Sequence, residues 1–157
     1  METYHETIID LIYYILSKGE TYLEFIDTRN AYDKIIRNYH QVNSNGVSVY
    51  RNNRSKMFYR CSEKAYKETE SSNLYYEHLV PVKLLKEQLK SLINTQELTK
   101  VRIKNILDSS EMVLITKEEA KIIDEKHKTS LPKSNKNRLE EYGIKIAKDT
   151  QNNSIFF

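Results

Sequence analysis

Apolar residues recur at helical spacing through the first forty residues of the chain. Residues 2–16 carry five aliphatic side chains at this spacing, namely Ile8, Leu11, Ile12, Ile15 and Leu16. Gly19 ends the segment, and residues 20–40 repeat the pattern with aromatic and branched side chains. Two helices with a short connection predict a helical hairpin over residues 1–42. We expect its apolar stripe to be packed, with a partner surface as the alternative.

Strand-like runs appear after this hairpin and alternate with further helical segments. Short β runs are predicted at 47–50, 57–60, 74–80 and 111–115, with a closing strand at 144–146. Helices are predicted over 63–70, 82–94, 96–107, 117–127 and 138–142. The pattern therefore predicts an α+β fold that is mostly helical, with an α+β domain over 47–148 and a frayed tail over 149–157.

Two helix starts carry cap signals. Ser62 can cap the short helix that begins at residue 63. Thr116 and Glu119 have the spacing of a capping box, in which the hydroxyl caps the third amide and the carboxylate reaches back.

Charge is unevenly distributed although the net charge is only +3. Residues 1–30 carry six acids and two bases, whereas residues 51–67 carry six bases and one acid, and residues 126–138 carry five bases and no acid. Basic residues interleaved with Phe58 and Tyr59 suit phosphate contact with stacking. The predicted nucleic-acid contacts are Arg51, Arg54, Lys56 and Arg60. Ordinary solvated surface is the alternative for both basic segments.

Length and composition exclude several classes of protein. A chain of 157 residues suits one domain with a helical appendage. Its one cysteine, Cys61, allows no internal disulfide and no zinc site built on cysteines. No segment approaches the roughly 20 apolar residues of a membrane span, and the first residues do not resemble a signal peptide. We therefore expect a cytoplasmic protein without a membrane partner.

The candidate chemistry lies at the end of the 74–80 run, in Glu77-His78-Leu79-Val80-Pro81. A carboxylate beside an imidazole can serve phosphodiester hydrolysis, because the carboxylate helps to hold Mg²⁺ and the imidazole takes a proton from water. Histidine suits the role of base because its ordinary pKa of ~6.5 is near working pH. The alternative is a strand-end histidine bonded to backbone beside an exposed glutamate.

This five-residue segment resembles the acid-His-x-x-Pro signature of the HNH, or ββα-metal, endonucleases. The resemblance covers residues 47–128 and implies an HNH-like ββα core with extra helices. It implies that Glu77 binds Mg²⁺ or another divalent cation and that His78 is the general base. A second strand and a ligand-bearing helix should follow, and the runs 111–115 and 117–127 match them in order.

The chain departs from the family pattern at two positions. Near the usual asparagine of the second strand it has Asp108, Ser109 and Ser110. At the usual histidine of the helix it has Ala120. The substitute ligands on that helix are Glu118, Glu119, Asp124 and His127. Glu119 is the first choice by position, and its capping role is the alternative.

Two functions follow from the resemblance. The first is a metal-dependent endonuclease that hydrolyses DNA in a phage or mobile-element setting, with His78 as base and Glu77 and Glu119 as metal ligands. The second is an anti-CRISPR or anti-restriction protein that keeps an HNH-like fold and binds a host nuclease, for which segregated charge is suited. A regulator that binds DNA through its N-terminal helices is disfavoured, because residues 20–40 supply only three bases.

Overall fold

The computed structural model describes residues 3–28, 30–41 and 60–147 of the chain. These residues form a mixed α+β fold, mostly helical, with a small three-stranded sheet. The helices are α1 (Tyr4–Ser17), α2 (Glu20–Asp27), α3 (Ala31–Gln41), α4 (Glu63–Lys67), α5 (Val82–Asn94), α6 (Lys100–Asp108), α7 (Lys117–His127) and α8 (Arg138–Glu141). The strands are β1 (Arg60–Cys61), β2 (Leu74–His78) and β3 (Met112–Thr116). The predicted run 47–50, most of the run 57–60 and the predicted tail 149–157 lie outside the described residues.

The chain divides into two compact units. Residues 1–48 and 82–110 form the helical unit, and residues 49–81 and 111–157 form the sheet unit. The sequence predicted one continuous domain over 47–148. The structure differs, because it groups residues 82–110 with the N-terminal helices. The cause of this difference is the apolar faces of α5 and α6, which contact α1 within the helical unit.

The helical unit has five helices in its described part where the sequence predicted a hairpin and two more helices. The predicted helix over 20–40 is two helices, because Asn30 has a φ of 54° in the left-handed region, which interrupts an α-helix. The predicted helix over 96–107 begins later for the same reason, since Gln96 has a φ of 57°. Thr99 caps the observed start by accepting a hydrogen bond from the amide of Arg102 at 3.2 Å.

Acidic side chains of the N-terminal helices pair with lysines of α5 and α6. Lys86 Nζ lies 2.7 Å from Asp27 Oδ2, and Lys100 Nζ lies 2.7 Å from Asp10 Oδ1. Lys90 Nζ lies 3.7 Å from Glu20 Oε2. The acidic segment predicted over residues 1–30 is thus partly neutralised within its own unit.

A polar network closes the helical unit around the C-terminal turn of α3. His40 is only 1% exposed, and its Nε2 donates to the carbonyl oxygen of Leu107 at 2.9 Å. The hydroxyl of neighbouring Tyr39 donates to Asp108 Oδ1 at 2.6 Å, and His5 Nε2 lies 3.0 Å from the Tyr39 carbonyl. Burial lowers the pKa of His40, and the Leu107 carbonyl and the Asp108 carboxylate oppose that shift in part.

We expect the free energy of unfolding to fall as the pH drops below ~6.5, the ordinary pKa of histidine. In that range the unfolded chain binds a proton that folded His40 resists, so acid favours unfolding, by at most about 1.4 kcal/mol per pH unit. Urea denaturation at pH 5, 6 and 7 measures the slope, and His40→Gln should remove this part of it. His5→Gln is the matched control, because it removes the other histidine of the network. Equal slopes in wild type and His40→Gln would contradict the prediction.

The sheet unit is built around β3, whose five residues are all buried. The strand order is β1-β3-β2, with β1 parallel and β2 antiparallel to β3. Side chains of β3 alternate between two apolar clusters. One contains Cys61, Ala65, Leu74, Met112 and Leu114, and the other contains Val113, Ile115, Ala120, Ile123, Leu139 and Ile144. This alternation is the two-residue period expected of a strand buried on both faces.

Local signals of the sequence agree with the sheet unit in detail. The capping box of Thr116 and Glu119 is present at the start of α7. Ser62 caps α4 by accepting a hydrogen bond from the amide of Ala65 at 3.0 Å. The predicted strand at 144–146 forms a single antiparallel bridge, between Ile146 and Ser62.

None of the helices within 3–28, 30–41 and 60–147 is long and apolar enough to cross a membrane.

Candidate functional site

Glu77 and His78 end strand β2 and lie on opposite faces of the sheet. Glu77 is in register with Val113, and His78 is in register with Met112. Val113 belongs to the cluster packed under α7, whereas Met112 belongs to the cluster on the other face. Because successive side chains of a strand point to opposite faces, the carboxylate and the imidazole diverge.

Arg138 holds the carboxylate of Glu77 inside the sheet unit. Its Nη1 lies 2.5 Å from Glu77 Oε1 and donates to the carbonyl oxygen of His78 at 2.9 Å. Arg138 is 2% exposed and Glu77 is 5% exposed, so the ion pair is buried. One guanidinium thus joins the first turn of α8 to the last two residues of β2.

Sequence reasoning counted Arg138 among the surface bases of 126–138. The structure corrects this, because Arg138 is buried and paired. One signal was present in the sequence: Arg138 is the only arginine after residue 102, among many lysines. Arginine has the planar donor group that suits a buried carboxylate, whereas lysine is more strongly hydrated.

Glu119 is also buried, at 4% exposure, and serves as a hydrogen-bond acceptor. Its Oε2 accepts from the hydroxyl of Ser62 at 2.6 Å and from the amide of Thr116 at 2.9 Å. These bonds connect the caps of two helices, α4 and α7, through one carboxylate. The capping role that the sequence offered as the alternative for Glu119 is therefore present.

The described donors do not fit a divalent metal ion. Mg²⁺ requires near-octahedral oxygen ligands, with carboxylates open to it. Within the part of the chain that the structure describes, no group of three or more His, Cys, Asp or Glu side chains could hold a metal ion. Glu77 is engaged by Arg138 and Glu119 by Ser62 and Thr116. Metal binding by Glu77 and Glu119 stays a prediction that this arrangement does not favour.

His78 is placed in the interior. Its side chain is 5% exposed, and a general base must come within hydrogen-bond distance of the proton that it removes. The backbone after His78 is tied down as well, because the amide of Leu79 donates to the carbonyl oxygen of Glu111 at 3.0 Å. Catalysis by His78 stays a prediction.

Arg60 is the only one of the four predicted nucleic-acid contacts within the described residues, since Arg51, Arg54 and Lys56 lie outside them. It belongs to β1 and pairs with Glu111 through both Nε and Nη2, with 3.0 Å between Nε and Oε2. Part of its charge is therefore neutralised within the sheet unit.

An open depression of about 900 Å³ lies in the sheet unit beside Leu79, the residue that follows His78. Its apolar lining consists of Leu79, Leu139, Ile144 and Ile146. Its charged lining consists of Arg60, Glu63, Lys136, Glu140 and Lys145. Sequence reasoning missed this depression, because its walls come from three separate stretches of chain.

Comparison with known proteins adds no assignment to this site. No family model, no curated protein and no solved structure matches the chain significantly.

Proposed function

We propose that this chain is an HNH-like protein that binds DNA, in which Glu77 and Glu119 stabilise the fold instead of holding a metal ion. The HNH-like fold in this proposal comes from the sequence resemblance, and the order of strands and helices supports it. Strand β2 ends in Glu77-His78, pairs antiparallel with β3, and β3 runs directly into α7. The resemblance implies a strand, a second strand and a helix, and this order supports the proposal, with α5 and α6 inserted between the two strands.

The buried ion pair of Glu77 and Arg138 is the observation that supports a protein that does not hydrolyse DNA. A metal ion at Glu77 would have to displace the guanidinium, which would then be buried without its counter-charge. Such an unpaired buried charge is strongly unfavourable. The pair therefore supports a fold that is kept without the metal centre of an active enzyme.

Cations close to the segment 77–81 support DNA binding. Lys136 and Lys145 line the depression beside Leu79, together with Arg60, which is paired with Glu111. Arginine and lysine contribute to DNA affinity by neutralising phosphates. Metal-dependent hydrolysis of DNA with His78 as base is the competing function.

We expect plasmid DNA to be retarded by the protein in a gel but not cut in the presence of Mg²⁺ or Mn²⁺. Cleavage is not expected because the carboxylates needed to hold the ion are engaged by Arg138, Ser62 and Thr116. Wild type and His78→Ala are compared by agarose electrophoresis at low salt, with EDTA as the metal-free control. Nicking by wild type that His78→Ala abolishes would overturn the non-hydrolytic proposal and establish the endonuclease function.

The second candidate is an inhibitor that keeps the fold and binds a host nuclease. The same ion pair favours it, because such a protein also needs the fold without a metal ion. It differs in its partner: an inhibitor of this kind forms a complex with a restriction or CRISPR nuclease and does not retard plasmid DNA. The gel experiment therefore separates it from the DNA-binding proposal.

A further inference from the structure

The depression beside Leu79 combines an apolar floor with a charged rim. Leu139 and Ile144 are buried in the core beneath it, and Leu79 and Ile146 are half-buried at its surface. Its volume of about 900 Å³ falls within the roughly 300–1,000 Å³ of sites that hold small ligands. The space is therefore sufficient for one flat ligand unit of nucleotide size.

The charges around this floor are not equally available. Arg60 is paired with Glu111, and the Glu140 carboxylate accepts from the amide of Asn137 at 3.1 Å in a capping box. Lys136 and Lys145 are exposed and form no ion pair with a residue that the structure describes. The lining thus carries three cations and two exposed carboxylates, those of Glu63 and Glu140. Lys136 and Lys145 are the two of these cations that are open to the phosphate of a ligand.

We infer that the depression holds one nucleotide unit of a DNA strand, with its phosphate at Lys136 and Lys145 and the face of its base against Leu79 and Ile146. A nucleotide unit has both required surfaces, since its base presents an apolar face and its phosphate carries a negative charge. The proposed site needs no donor that recognises a particular base, so binding there does not depend on the DNA sequence. This inference rests on the proposed DNA-binding function and deepens it by naming the surface.

The test is the salt dependence of binding to a fluorescein-labelled 12-nucleotide oligothymidine, measured by anisotropy. Loss of two phosphate contacts on a single strand lowers the slope of log K against log salt by about 1.4 in magnitude. Lys136→Gln with Lys145→Gln should show this change, which corresponds to about 25-fold weaker binding at 0.1 M salt. Lys136→Arg with Lys145→Arg should keep the wild-type slope, because both charges remain.

Lys121→Gln is the matched control, since Lys121 is an exposed lysine of α7 that does not line the depression. Circular dichroism verifies that each variant is folded. Wild-type binding with an unchanged slope in the double glutamine variant would overturn the depression as the site and leave DNA binding standing. No binding of the oligothymidine by wild type would overturn the inference, whereas absence of plasmid retardation in the gel experiment would overturn the proposed function. Binding of free thymidine monophosphate without binding of the oligonucleotide would show a free nucleotide as the ligand and overturn the inference for DNA.

Discussion

Replacement of Arg138 by methionine should destabilise the protein by about 3–5 kcal/mol, the usual cost of breaking a buried ion pair from one side. The variant leaves the carboxylate of Glu77 buried without the guanidinium that pairs with it, and the carbonyl oxygen of His78 loses a charged donor. Urea denaturation followed by circular dichroism at pH 7 measures the change. Most of the lost free energy of unfolding comes from the buried carboxylate, because an ion in a nonpolar interior is far less solvated than in water.

Two variants sharpen this experiment. Arg138→Met combined with Glu77→Leu removes both charges, and we expect it to recover most of the lost stability, since a buried pair contributes little net stability relative to apolar side chains. Arg102→Met breaks the exposed pair with Glu97 and should cost less than about 1 kcal/mol. Equal stability of Arg138→Met and Arg102→Met would refute a structural role for the Glu77–Arg138 pair.

Replacement of Glu119 by alanine should cost roughly 2–4 kcal/mol. The change removes the reciprocal half of the capping box and the acceptor of the buried Ser62 hydroxyl. A lost cap costs about 0.5–2 kcal/mol, and a buried donor left without its charged acceptor costs roughly 1–3 kcal/mol. Thermal or urea unfolding in the presence of EDTA measures it, so that no metal contributes.

Glu118→Ala is the matched control for Glu119, because Glu118 is the preceding acid on the same helix and is exposed. We expect it to change the stability by less than about 1 kcal/mol, through the helix dipole alone. If Glu119→Ala leaves the stability in EDTA unchanged but abolishes binding of Mg²⁺, then Glu119 is a metal ligand and its assignment as a structural acceptor is wrong.

Local patterns of sequence were sufficient for many elements of this fold. The helix over 82–94 has the predicted bounds, because its apolar residues are regularly spaced and Pro81 precedes it. The capping box at Thr116 needed only two residue types at the right spacing. Strands β2 and β3 lie close to the predicted runs, since alternation and branched side chains favour extended backbone.

Local patterns failed where the backbone conformation of one residue decided the outcome. Asn30 and Gln96 adopt left-handed φ values, which end or delay a helix that apolar spacing alone would continue. Asparagine adopts this conformation more readily than most residues, so Asn30 carried a weak signal, whereas Gln96 carried none. The same spacing also could not show that α5 and α6 group with the N-terminal helices, because an apolar stripe does not specify its partner.

By itself, the sequence determined the α+β class, the segments that carry Glu77, His78 and Glu119, and the cap at the start of α7. Only the tertiary structure decided which partners the two carboxylates contact. Arg138 is 61 residues from Glu77 along the chain, and Ser62 is 57 residues from Glu119. The physical reason is that a buried charge must find its partner in space, and partners so far apart in sequence are chosen by packing around β3. A carboxylate next to a histidine resembles a metal site in the sequence, and in the fold a guanidinium pairs with that carboxylate.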